Sequence, residues 1–71
     1  MISLENKYFA ERSRALRMGV DFTIPFDDWL KIWQDSGKFD QRGGKKGQYV
    51  LSRIDNTKPY EIGNIIINQV T

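Results

Sequence analysis

The sequence predicts a small α+β protein, with two N-terminal amphipathic helices followed by a β-hairpin. Three observations carry that expectation. Apolar residues recur at helical spacing between residues 4 and 36, and they give way to short runs rich in Val, Ile and Tyr between 48 and 69. A glycine-rich, basic segment separates the two regimes.

The first helix is expected from about Leu4 to Met18. Ser3 can cap its N-terminus, Glu5 stands in the first turn, and Gly19 can close its C-terminus. Leu4, Tyr8 and Ala15 share one side and Phe9 lies beside Leu16, so these residues are expected to be buried. Lys7, Arg14 and Arg17 are expected on the opposite side as a basic stripe, either solvated or set against phosphate or an acidic partner. Asp21-Phe22-Thr23-Ile24 reads as a short extended connector, and Pro25 presets the backbone for a second helix. Asp27 and Asp28 follow in its first turn, where the helix dipole explains them more simply than a metal-binding pair does. Phe26, Trp29, Leu30 and Trp33 fall at i, i+3, i+4 and i+7, with Ile32 at the edge of the stripe. That face is expected to pack on Tyr8, Phe9 and Leu16, and Ser36-Gly37 to end the helix.

Residues 37–47 read as a mobile, positive loop, with Lys38, Arg42, Lys45 and Lys46 against a single Asp40. Gln48 to Ile54 reads as a strand, with Tyr49, Leu51 and Arg53 on one face and Val50, Ser52 and Ile54 on the other. Asp55-Asn56-Thr57-Lys58-Pro59 is turn chemistry. The Ile run within Asn64–Asn68 predicts a second strand buried on both faces, so that the hairpin pairs residues 48–54 with 64–69.

At 71 residues the chain is expected to be a single domain, helical over 1–36 and basic loop plus hairpin over 37–71. A hydrophobic share of 39% with nine aromatic residues argues against disorder. There is neither Cys nor His, which excludes disulfides, thiol nucleophiles, Ser-His-Asp chemistry and His-ligated metals. No apolar run approaches the roughly 20 residues that span a bilayer, and no signal-peptide pattern is present, so a cytoplasmic protein without membrane contact is expected. Residues 1–35 carry a net −1 and residues 36–71 a net +3, within a total of +2. Such an excess permits nucleic-acid contact without demanding it. The strongest binding candidate is Gly43-Gly44-Lys45-Lys46-Gly47, because glycines let backbone amides approach phosphate and lysines neutralise it. The spacing is not that of a Walker A loop, and no Ser or Thr follows the lysines.

From Gln48 to Asn64 the sequence reads Gln-Tyr-Val-Leu-Ser-Arg-Ile-Asp-Asn-Thr-Lys-Pro-Tyr-Glu-Ile-Gly-Asn. This resembles the central motif of small phage-type HNH homing endonucleases. In that motif a leucine precedes an Asp or Asn, a His or Arg and then Ile-Asp, and a turn leads to Tyr-x-x-x-Asn and an aliphatic residue. Val20-Asp21-Phe22 and the helix containing Trp29 resemble the segment ahead of it. The resemblance implies the two strands of a ββα-metal unit. It places Ser52 at the metal-ligand position, Arg53 at the general-base position and Asn64 at the loop-asparagine position. Serine is a poor ligand for a hard cation and arginine cannot accept a proton near neutral pH. The metal-bearing helix would lie beyond Thr71, missing or supplied in trans. The site is therefore expected to be degenerate, with no metal or other cofactor unless a nuclease activity requiring Mg²⁺ or another divalent ion is retained.

Three functions follow. The first is an inactive HNH-like accessory module that binds DNA through Lys38, Arg42, Lys45, Lys46 and Arg53, assisted by Lys7, Arg14 and Arg17. The second is a small effector or inhibitor that binds a host protein, or an acidic protein surface, in the host-cell cytoplasm. The third is an active metal-dependent endonuclease completed by a partner. For Arg53 and Asn64 the alternative to a binding role is structural: pairing with Asp55 or Glu61 for the arginine, and capping of loop amides for the asparagine.

Overall fold

The computed structural model describes residues 4–71, so the Ser3 cap expected from the sequence lies outside the described residues. Two helices, α1 (Leu4–Arg17) and α2 (Phe26–Ser36), precede a 3-10 turn at Phe39–Gln41 and two strands, β1 (Tyr49–Arg53) and β2 (Ile65–Gln69). The strands pair antiparallel, with Tyr49 opposite Gln69, Leu51 opposite Ile67 and Arg53 opposite Ile65. The α+β class expected from the sequence is the observed one, and each strand boundary falls within one residue of its expected place.

The helix ends follow from local chemistry. The Gly19 amide donates to Leu16 O and the Val20 amide to Ala15 O, both at 3.0 Å. This is the paired closure that a residue at positive φ permits, and Gly19 supplies it at φ 78°. In α2 Pro25 stands before the first turn, its carbonyl accepting from Trp29 N at 2.9 Å, while Asp27 and Asp28 meet the positive end of the dipole. Gly37 ends that helix at φ 70°.

The core is aromatic. Trp29, Trp33 and Ile24 are essentially inaccessible, and Tyr8, Ala15, Phe22 and Leu51 complete the buried set. Tyr8 is its centre: its ring meets Phe22, Phe26 and Trp29 edge-on at 5.5–5.7 Å, and its hydroxyl donates to Ile24 O. The stripe of α2 is buried as expected, but its partners differ from those expected. Phe9 and Leu16 are each 50% exposed. At 3.6 residues per turn that pair lies roughly 100° around α1 from the Tyr8–Ala15 side, which alone is buried; Leu4, also expected inside, is 39% exposed in the first turn of the helix. The vacated places are taken by Phe22 and Ile24. They alternate with exposed Asp21, Thr23 and Pro25, and the connector docks on Tyr60 through Thr23 N→Tyr60 O (2.9 Å) and Tyr60 N→Asp21 O (3.0 Å).

The same helical geometry corrects the basic stripe. Lys7 and Arg14 flank the buried side within about 20° of one another, whereas Arg17 stands roughly 60° further round, so the three do not form one row. The Ile run is also not buried on both faces. Ile65 and Ile67 turn toward the core, while Ile66 is 47% exposed, because the helices cover only one face of a two-stranded sheet.

Candidate nucleic-acid interface

The loop between α2 and β1 contains two groups of cations held in different ways. Arg42 is built into the core margin. Its guanidinium stacks over Trp29, Trp33 and Phe39 at 5.0, 5.1 and 5.6 Å, and its Nη2 donates to Glu11 Oε2 at 3.2 Å. The same carboxylate oxygen accepts from Trp29 Nε1 at 2.8 Å. Glu11 thus joins α1, α2 and the loop in one knot, and arginine suits it because its flat cation can stack and donate at once.

The Gly43–Gly47 segment that follows is tied to the start of β1 and the end of β2, although the sequence suggests a mobile loop. Gly43 N donates to Tyr49 O (3.0 Å), Gln48 N to Lys45 O (2.9 Å), and Gly47 N to Val70 O (2.8 Å). The Gln48 side chain accepts from Lys45 N at 3.0 Å through Oε1, and that same atom would lie 2.1 Å from any Cβ at Gly43. The Gln48 side chain could swing away from such a Cβ, but Gly43 also stands at φ 156°, a backbone conformation that favours glycine. Lys45 and Lys46 project from this frame, exposed and in no ion pair among the described residues.

A cleft of about 210 Å³ opens beside the loop. Glu11 and Arg14 of α1, with Met18 just past its end, form one wall, Gly43 and Gly44 another, and Tyr49 and Trp33 also line it. The fold therefore brings Arg14 to the glycine loop across 29 residues of sequence. The other expected contact residues are placed elsewhere or engaged. Lys7 lies over Phe39 at 5.4 Å and Lys38 over Tyr49 at 5.0 Å, while Arg17 is exposed in the last turn of α1.

At the positions implied by the HNH resemblance, Ser52 is half-buried opposite Ile66 on the face away from the helices. Arg53 faces the other way and stacks on Tyr60 at 5.4 Å, donating through Nη1 to Asn56 O (2.9 Å) and Lys58 O (3.0 Å). It makes no ion pair with Asp55 or Glu61; instead it closes the turn after β1. Asn64 is buried, accepting from Asp55 N at 2.8 Å and donating to Asp55 O and Pro59 O at 3.1 and 2.9 Å. Every polar function of its amide is used in holding the 55–59 turn. Asp55 Oδ1 in turn accepts from Thr57 Oγ1 (2.6 Å) and Thr57 N (2.9 Å). Those bonds, with a smaller contribution from the Arg53 charge, hold its carboxyl below the usual carboxylate range against a weak opposing effect of desolvation. Among the described residues no group of three or more His, Cys, Asp or Glu is placed to hold a metal ion, and no helix is long and apolar enough to cross a membrane.

Glu11 is the residue of consequence that sequence reasoning passed over. The signal was available, because Glu11 lies three residues after Tyr8 and four before Ala15, on the buried side of α1. A carboxylate at such a position requires a buried donor. No protein-family model matches the chain, and no curated protein or solved structure matches it significantly.

Proposed function

We propose that this chain is an HNH-endonuclease-like protein that binds nucleic acid and does not cleave it. The observation that carries the reading is the Gly43–Gly47 loop. Its backbone is fixed by hydrogen bonds to Gln48, Tyr49 and Val70, and it exposes Lys45 and Lys46, neither of them in an ion pair among the described residues. Phosphate contacts need such unpaired cations on a held backbone, and they position a protein without reading sequence. Cleavage needs a bound metal or a base to activate water. Ser52 supplies no carboxylate, and the Arg53 guanidinium is committed to two carbonyls of the following turn.

Gel-shift titration of a short labelled duplex tests the binding, and incubation of plasmid with the protein and Mg²⁺, Mn²⁺, Ni²⁺ or Zn²⁺ tests the lack of turnover. The expected result is a salt-sensitive shift with intact plasmid. Cleavage that co-purifies with the protein would instead support an active nuclease. A second reading, a protein-binding effector, is favoured by the outer side of the hairpin, where Ile54 and Ile66 are 64% and 47% exposed. Absence of any shift at low salt would move the assignment there.

A further inference from the structure

The two edges of the sheet are finished differently. Val70 N donates to Gln48 O at 2.7 Å and Ile54 N to Asn64 O at 2.9 Å, so the bonded pairs of the hairpin fall on its even-numbered residues. Bonded pairs recur every second residue in an antiparallel ladder, which leaves the amides and carbonyls of the odd-numbered residues pointing outward. On β1 that outer edge is occupied at Tyr49, whose carbonyl accepts from Gly43 N at 3.0 Å. On β2 the outward groups belong to Ile65, Ile67 and Gln69, and among the described residues no segment bridges to them. The edge also lacks the usual protections, because β2 contains no charged residue, no proline and no bulge.

We propose that this edge pairs with the same edge of a second copy of the chain, antiparallel about a two-fold axis at Ile67. The three outward residues are symmetric about that position. Ile67 therefore meets its own counterpart and Ile65 meets Gln69 of the copy in both directions, with two backbone hydrogen bonds at each pair. Any extended strand offers the same backbone groups; the symmetric register is what favours a copy. A two-fold interface must be self-complementary, and a neutral strand sets no like charges against each other. Ile65 and Ile67 are only half-buried beneath the helices, and the copy covers the flank that each leaves open. A strand of five residues extends about 17 Å, so the interface falls in the small class, below about 1,200 Å², and the dimer is weak and reversible. The association needs neither nucleic acid nor the loop lysines.

Sedimentation equilibrium of the purified protein from micromolar to millimolar concentration should show the mass rising from 8.3 kDa toward twice that value. Amide hydrogen exchange of the same samples locates the contact. Exchange at Ile65, Ile67 and Gln69 should slow in proportion to the fraction of monomer remaining, whereas Ile54, already bonded within the hairpin, should not change. Gln69→Pro deletes an amide that bonds nothing in the monomer and is expected to abolish the dimer, its fold being checked by its melt. Should that variant not fold, the exchange pattern of the wild-type protein decides alone. Ile54→Lys, on the exposed outer face, is expected to leave the dimer intact. A monomer throughout the range overturns the proposal, and so does a dimer whose formation leaves the three β2 amides fast or that a folded Gln69→Pro variant retains. Loss of the dimer in Ile54→Lys would place the contact on the outer face of the hairpin and overturn it as well.

Discussion

Arg42 and Lys45 stand three residues apart in one basic loop, and the structure uses them in opposite ways. The guanidinium of Arg42 lies between three aromatic rings and a carboxylate from another helix, so its charge serves the fold. The ammonium of Lys45 projects from a loop tied down by glycine turns and Gln48, so its charge is available to a partner. Net charge and loop composition do not distinguish the two. What does is whether a buried carboxylate and an aromatic face reach the cation, which makes the difference open to mutation from either side.

The largest effect belongs to the aromatic wall of the Arg42 knot. Trp33→Ala should destabilise by roughly 3–5 kcal/mol, enough to abolish the cooperative melt of so small a domain. Retention of a melt near the wild-type temperature would show that the knot does not depend on that wall. Glu11→Ala comes next, at about 1–3 kcal/mol, because it leaves the Trp29 indole N–H unpaired and Arg42 without its carboxylate. Chemical denaturation of Glu11→Ala beside Glu11→Gln sharpens the comparison, since the amide keeps one acceptor and should recover part of the loss. The loop lysines should behave differently: Lys45→Ala and Lys46→Ala should each move stability by no more than about 0.5 kcal/mol. Leu16→Ala belongs in the same small range for a different reason, its half-exposed place outside the helix interface.

The smallest effect is on acid stability. Asp55 titrates below its ordinary range in the folded protein, so its contribution is present above the unfolded carboxylate's pKa. That contribution is lost as pH falls through the lower folded value. Thr57→Val, which removes the strongest of the lowering bonds, should lower the melting temperature slightly at neutral pH and converge with wild type in acid, so that its decline through that window is shallower.

Element order and the α2 stripe were legible because Phe26, Trp29, Leu30 and Trp33 leave only one face to bury. The face of α1 was harder to read. Two apolar pairs compete there, and only the packing of α2 and the connector decides between them. Phe22 and Ile24 show a clear period of two, yet a four-residue connector offers too short a window for that signal to stand out from a loop. At the candidate site the glycines and exposed lysines were readable as one loop, since turn chemistry is local. The sorting of Arg42 and Arg53 into structural work was not, because Glu11 lies 31 residues from Arg42, and the carbonyls that hold Arg53 exist only once the turn has formed.

The central claim is that Lys45 and Lys46 are the phosphate contacts of this protein. It is tested most directly by titrating a labelled duplex with wild type and with the Lys45→Ala/Lys46→Ala double variant at a series of salt concentrations. The account predicts weaker binding for every duplex sequence alike, and a slope of log affinity against log salt that is shallower by about two units, ~0.9 for each lost contact. An unchanged slope in a double variant that melts like wild type would contradict it.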